Sequence, residues 1–521
     1  MPWLASGYAE WCFVAYCAAT VFELFARRSG GRQEKPMPSS PSPAATAIAA
    51  ELNGVLSRQK AAQLREGSPS AAIRADRLDR CIALLVDHRE AIESALDADF
   101  GARSRAATAF GDVASSIAPL KHARAHLARW MRSERRPTTP PIARLLGARA
   151  EIRYQPKGVV GVISPWNFPV NLTFAPLSGV LAAGNRAMVK PSETTPETSE
   201  LLKRMIAKAF DPEEIAVVTG GPDVGQAFAG LAFDHLVFTG ATAIGRHVMR
   251  AAAENLVPLT LELGGKSPVV IGRSADLGVA AARIMNGKTF NAGQVCLAPD
   301  YVLAPADRIG AFVEAARLAV ARMFPTLRDN PDVTAIVSDR HLARLAAHVE
   351  DARAKGAKIV EINPAGEDLV QQPHRRMAPT LILDPTDDMT VMQEEVFGPL
   401  LPVKRYQNLD DAIAYINAHP RPLGLYYFGT EEAERDHVLG RTISGGVTVN
   451  DVVMHVAQED LPFGGIGPAG MGAYHGRDGF LEFSHRRSVY HQIGREIGPL
   501  RMLRPPFGPR LMKFLAARIK R

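Results

Sequence analysis

Between residues 158 and 263, apolar runs of strand length alternate with helical stretches, and this alternation leaves the chain few folds to choose from. GVVGVIS (158–164), AMVK (187–190), IAVV (215–218), HLVF (235–238) and PLTLEL (258–263) read as buried strands. Helices are expected over 174–183, 197–209, just after Gly221, and over 242–253. Strand–helix alternation of this kind predicts an α/β fold with a parallel, doubly wound sheet. Such sheets hold their ligands beyond the carboxyl ends of the strands. A second alternating region runs over 267–450, with helices at 276–290, 306–323 and 339–355 and strands at VVI (269–271), YVLAP (301–305) and LPVKRY (401–406).

Ahead of the first strand, residues 47–136 read as helical. Ile73, Arg77, Leu78, Cys81, Leu84, Leu85 and His88 recur at three- and four-residue steps. PTTPP (137–141) breaks the pattern. RAEIRYQP (149–156) then alternates as an edge strand does. A chain of 521 residues, 46% apolar and 22% charged, is globular and long enough for more than one core. The net charge of +7 gathers in a tail. Residues 501–521 carry seven Arg and Lys and no acid, a solvated basic end or a contact for an anionic membrane. Cysteines 12, 17, 81 and 296 make no disulfide framework and fit a reducing cytoplasm. No nucleic-acid partner and no metal site are expected.

Residues 3–26 are almost all apolar, with Glu10 and Glu23 among them and Arg27 and Arg28 after them. They allow a membrane anchor, a loose peripheral segment, or an extension upstream of a natural start at Met37. No positive charge precedes Arg27, which argues against a secretory signal.

Two residues carry the chemistry. Cys296 stands in FNAGQVCLAPDYVL, where the small Gly293 and polar Gln294 leave a thiol approachable. A lone cysteine is as readily a small buried hydrophobe; a nucleophile needs a lowered pKa or a base nearby. Glu262 stands in LTLELGGKSP, inside an apolar strand and before two glycines. Either it ends the strand in a salt bridge, or apolar surroundings raise its pKa toward that of a general base.

Residues 255–266 and 289–297 resemble the glutamate and cysteine signatures of the aldehyde dehydrogenase superfamily. The resemblance continues through PWNFP (165–169), VKPSE (189–193), FTGATAIG (238–245), EEVFGP (394–399), VND (449–451) and LPFGG (461–465). CLAPDYVL, GMGAYHG (470–476) and FSHRRSVY (483–490) are similar to its class 3 branch. RADRLDR (74–80), ADFGARSR (98–105) and KHARAHLARWMR (121–132) resemble members acting on coniferyl aldehyde.

The resemblance implies NAD(P)-dependent oxidation of an aldehyde to an acid, on bulky aromatic aldehydes of the coniferyl type. Cys296 would be the nucleophile and Glu262 the base. The Asn167 amide would receive the oxyanion with the Cys296 N–H; taken alone, Asn167 could be a turn residue. Lys190 and Glu193 would hold the adenosine ribose, in a segment where Ser192 could cap a helix. Gly240 and Gly245 would let backbone approach the pyrophosphate, and Glu395 and Phe397 would hold the nicotinamide side. Glu193 favours NAD, with NADP possible. Ala241 and Ala469 depart from the common pattern. Phe168, Phe290 and His455 are the expected walls of the aldehyde tunnel.

The implied architecture is a nucleotide-binding domain over 47–262, with a bridging strand at 147–157, and a catalytic domain over 263–452. The chain would return to the first domain over 453–480 and end in a bridging strand and tail over 481–521, with a hydrophobic segment and linker at 1–46. The bridging strands point to a homodimer. Two other readings stay open: a long-chain fatty aldehyde dehydrogenase at a membrane, through residues 3–26 or the basic C-terminus, and a non-catalytic protein of the same fold. The second predicts loss of Cys296 or Glu262, and both are present.

Overall fold

The computed structural model describes residues 43–139, 141–495 and 497–519. Residues 1–42, and with them the anchor and start-site expectations, lie outside the described residues. Contacts divide the chain into residues 1–47, described only as the first turn of a helix, and residues 48–521.

Residues 48–521 contain three sheets. The first has six strands in the spatial order Gly470–Met471, Leu259–Leu263, His235–Gly240, Val159–Ile163, Arg186–Lys190, Ile215–Val217. All pair in parallel except Gly470–Met471, which runs antiparallel to Leu259–Leu263. The earliest strand of this sheet, Val159–Ile163, is central, and the order reverses between it and His235–Gly240. A crevice opens at such a switch point, beyond Ile163 and Gly240. The strands read as continuous apolar runs because helices cover both faces of the sheet: Val159, Val160, Val162, Ala187, Met188 and Val189 are fully buried.

The second sheet has seven strands, in the order Lys358–Glu361, Thr380–Leu383, Leu400–Tyr406, Tyr301–Pro305, Pro268–Ile271, Gly424–Phe428, Gly446–Val449. Only Lys358–Glu361 is antiparallel to its neighbour. The third sheet is an antiparallel trio, Glu134–Arg136, Arg149–Pro156 and Ser484–His491.

Two expectations need correction. The helical region does not run to residue 136: the helix Ser115–Trp130 ends earlier, and Glu134–Arg136 is a strand paired with Arg149–Pro156. Arg149–Pro156 is the centre of its sheet, with partners on both sides. Its alternation marks one packed face, where Tyr154 meets Phe480 edge-on at 5.5 Å, and one wetter face. Side-chain alternation reports faces and carries no information on which backbone edges are paired. Among the described residues, no helix is long and apolar enough to cross a membrane.

Candidate functional site

A cavity of about 890 Å³ lies at the switch point. Its walls come from the ends of the first sheet's strands, from the loop bearing Cys296 and from the segment 395–397. Eight of the nine expected site residues line it: Asn167, Lys190, Glu193, Gly240, Glu262, Cys296, Glu395 and Phe397. Gly245 does not. It is buried in the helix Thr242–Ala253, where a Cβ would come within 2.7 Å of the Leu263 side chain, so its smallness serves helix-on-strand packing.

Cys296 is held by a braced loop. Asn291 and Ala292 take left-handed conformations, with φ of 49° and 54°, and reverse the chain after the helix Leu277–Thr289. Gly293 follows at φ 72°, its backbone so close to Gly398 that a Cβ would lie 2.3 Å from that carbonyl oxygen. Gln294 was expected to keep the thiol approachable; it is wholly buried instead and acts as a strut. Its amide donates to the carbonyls of Asn291 (3.0 Å) and Ala335 (3.1 Å), and its Oε1 accepts from Val337 N–H (2.9 Å). The Gln294 carbonyl accepts from the side-chain amides of Asn167 and Asn291, each at 3.2 Å. Asn167 is thus tied to the cysteine loop. Cys296 itself stays half-buried on the cavity wall. Burial pushes its thiol pKa up, and the nearby charges of Glu262 and Glu395 push it further. The thiol is protonated at rest and needs a base.

Glu262 lies in the strand Leu259–Leu263, opposite Thr239 on one side and Gly470 on the other. No cation pairs with it among the described residues, and Oε1 has no hydrogen-bond partner, so the salt-bridge alternative falls away. Burial raises its pKa to about 8, against a backbone hydrogen bond from Gly465 that pulls it down. Glu395 is similar: burial, then the charge of Asp300, lift it to about 8, while the Gly265 backbone anchors one side and Oε1 is unpartnered. A Cβ on Gly264 would collide with the Glu395 carboxyl, at 1.9 Å from Oε2. Gly264 therefore admits the second carboxylate, while Gly265 lies against the Pro422–Leu423 backbone.

Lys190, 3% exposed, donates to Glu193 at 2.6 Å. Burial tends to raise the Glu193 pKa, but the Lys190 hydrogen bond, a backbone N–H bond and the Lys190 charge together outweigh it and hold the carboxyl below its ordinary range. Ser192 is no helix cap. The helix Pro196–Ala209 starts later, and Asp99 supplies the cap by accepting from Glu197 N–H (3.0 Å) and Thr198 N–H (2.9 Å). The helix Thr242–Ala253 opens onto the cavity at Gly240 and Ala241 with no side chain capping it, which leaves N–H donors for an anion.

Phe397 packs edge-on to Trp166 at 5.3 Å. Its segment is gripped from behind by groups the sequence does not single out. Arg344 donates to the carbonyls of Glu395 (3.2 Å) and Val396 (2.6 Å), Asp300 accepts from Val396 N–H (2.9 Å), and Lys266 donates to Glu394 O (2.9 Å). These residues lie far apart in the chain, Lys266 and Asp300 on irregular stretches and Arg344 in the helix Asp339–Ala354, so no shared period marks them as one group. Of the expected tunnel walls, Phe168 and Phe290 stack on each other at 5.8 Å and His455 packs against Tyr426 and Phe463; none is on this cavity's wall, where Trp166, Leu172, Leu423 and Phe463 stand.

Comparison with known proteins agrees with this geometry. A model of the Aldehyde dehydrogenase family matches residues 42–489. A probable coniferyl aldehyde dehydrogenase of Caulobacter vibrioides is 67% identical over 91% of this chain and 97% of the relative. A coniferyl aldehyde dehydrogenase of a Pseudomonas species is 52% identical over 88% of this chain and 94% of that one. The substrate-bound structure of AldH from Staphylococcus aureus superposes with a TM-score of 0.83 at 35% identity, covering 90% of this chain and 99% of its own.

Proposed function

The chain belongs to the aldehyde dehydrogenase family, and from that premise we propose that it oxidises bulky aromatic aldehydes of the coniferyl type to their acids, with NAD as the hydride acceptor. The observation that carries this reading is one cavity running from the Lys190–Glu193 pair to Cys296 and Glu262.

The cavity suits a dinucleotide on three counts: an uncapped helix N-terminus, a Lys–Glu pair for ribose hydroxyls, and a second carboxylate, Glu395, with a shielded and unpartnered oxygen. Lys190 and Glu193 would hold the adenosine end, the N–H groups after Gly240 the pyrophosphate, and Glu395 and Phe397 the nicotinamide end. A carboxylate at Glu193 favours NAD over a 2′-phosphate. NAD, when bound, takes the hydride from the former aldehyde carbon.

The residues of the chain do the rest. Glu262 accepts the thiol proton as Cys296 sulfur bonds to the aldehyde carbon. The Asn167 amide and the Cys296 N–H donate to the oxygen that becomes anionic. Loss of hydride leaves a thioester on Cys296. Once Glu262 has passed that first proton to solvent, it takes a proton from water, the oxygen of which bonds to the thioester carbon; the acid leaves, and the expelled Cys296 sulfur recovers a proton from Glu262. We read residues 47–262 with 453–480 as the nucleotide-binding half and 263–452 as the half that carries Cys296. The chain pairs as a homodimer through the open side of Ser484–His491, an eight-residue strand at the edge of its sheet.

Replacement of Cys296 by Ala should abolish NADH formation; activity that survives it ends the assignment. The substrate class is tested by kcat/KM for coniferyl aldehyde against hexadecanal, with the aromatic aldehyde expected to lead. Preference for hexadecanal would favour the fatty-aldehyde reading. Sedimentation should give twice the 56.3 kDa of one chain; a 56.3 kDa species at micromolar concentration would rule out the dimer.

A further inference from the structure

We propose that the buried ion pair Arg103–Asp112 is a positioning clamp for Asn167, setting the amide that meets the oxyanion; this rests on the reading of Asn167 given above. Asp112 lies in the π-helical turn Ala109–Ala114, between the helices Arg105–Thr108 and Ser115–Trp130. Single π turns inside α-helices are frequent at functional sites, because the extra residue turns a side chain out of register. Here it turns a carboxylate into the core. One Asp112 oxygen takes Arg103 Nη2 at 2.7 Å. The other accepts from the backbone N–H groups of Val170 (3.1 Å) and Asn171 (3.2 Å), at the start of the helix Asn171–Ala183. Arg103 then donates through Nη1 to the Asn167 carbonyl at 2.9 Å, where Asn291 Nδ2 also donates at 3.1 Å.

One ion pair therefore grips the chain on both sides of Phe168–Pro169, at the carbonyl of Asn167 and at the amides of 170 and 171. Asn167 is a residue of the cavity wall, and its side-chain amide also donates to the Gln294 carbonyl at 3.2 Å. The guanidinium plane is itself fixed, 4.4 Å from the Phe100 ring centre and 5.2 Å from that of Phe168.

Stability alone is a poor reason for such a pair. The two side chains are 1% and 0% exposed. A buried ion pair repays its desolvation badly, and apolar side chains of similar volume often stabilise as well or better. What apolar side chains cannot do is hold one carbonyl and two amides at fixed points. An oxyanion donor works only when it is already in place, and a displacement of about 1 Å can cost about a hundredfold in rate.

The test uses Arg103→Lys, which keeps the charge and loses the fork, alone and combined with Asn167→Ala. Rates are expressed per NAD-binding site counted by fluorescence titration, so unfolded protein drops out. The clamp predicts a kcat about 10- to 100-fold lower, with the NAD dissociation constant changed less than about threefold. It also predicts that Arg103→Lys costs less than about threefold more once Asn167 is Ala, because the group it positions has gone. A normal kcat per site in Arg103→Lys, or a loss that multiplies in full with that of Asn167→Ala, would overturn the clamp and leave Asn167 as the oxyanion donor. Normal activity in Asn167→Ala would overturn the oxyanion reading and the clamp with it. Should Arg103→Lys fail to fold, Asp112→Asn carries the same test, since it keeps an acceptor for Val170 and Asn171 while breaking the ion pair.

Discussion

Glu262 is poised by what it lacks. With no cation beside it among the described residues and a pKa near 8, it is largely protonated at neutral pH and becomes a base over the range where thioester hydrolysis would need one. Steady-state turnover should therefore rise with pH and level off above about 8. Glu262→Gln should remove that rise and slow hydrolysis by at least about a hundredfold. Stopped-flow would then show both phases of NADH formation slowed, the first because the thiol loses its proton acceptor and the second because the attacking water does. A variant with wild-type steady turnover would take the base role from Glu262. At this scale the sequence was informative where a residue breaks its local rule. An acid in an apolar strand and a cysteine three residues after a glycine were visible, as were the motifs around Asn167, Lys190 and Glu395. Arg103, Asp112, Lys266, Asp300 and Arg344 were not, because a charged residue reads as solvated surface until the fold buries it. Gln294 was visible but misread, since its neighbours in sequence do not reveal Ala335 and Val337 closing over it.

Elements follow the same logic. The five parallel strands of the first sheet and the helices over 242–253, 276–290 and 339–355 were legible because burial on both faces, or on one stripe, writes a period into the chain. The partners of Arg149–Pro156 were not, since backbone pairing leaves no mark on side-chain alternation. The turn at Asn291–Ala292 was equally hidden. Nothing in FNAGQVC announces two consecutive non-glycine residues at positive φ. This turn aims the loop, and its conformation makes a prediction. A β-branched side chain is strained there by about 1–3 kcal/mol. Ala292→Val should lower the thermal midpoint and slow alkylation of Cys296 by iodoacetamide, whereas Ala292→Gly should leave the midpoint nearly unchanged. Equal midpoints for Val and Gly would mean that the left-handed turn is not what holds the loop.

For the whole molecule, the buried titratable groups set stability and activity against each other. Burial raises the Glu262 and Glu395 pKa values from 4.5 to about 8, and that of Glu459 to about 7. Folded protein thus holds protons that unfolded protein releases above pH 4.5, so each group's contribution is present at low pH and is lost as pH climbs through 7 to 8. Buried His235, His455 and His475 act in the opposite sense. Their pKa values fall from 6.5 to about 3, 4 and 4, so they stabilise fully above pH 6.5 and lose that contribution on acidification. The two sets oppose each other below pH 6.5. Between pH 6.5 and 8 only the carboxylates still change, and they change against the fold. Lys288, lowered from 10.5 to about 8 by burial, adds a stabilising trend only above that window. The cofactor-free protein should therefore be most stable in mildly acidic buffer, with its melting temperature falling by roughly a few degrees from pH 6.5 to 8. Turnover should still be rising over that interval as Glu262 ionises. Glu262→Gln should flatten the decline, because an amide has no proton to lose. A melting temperature that climbs from pH 6.5 to 8 in the wild type, or a decline of the same slope in Glu262→Gln, would mean that the base is not titrating from within the folded core.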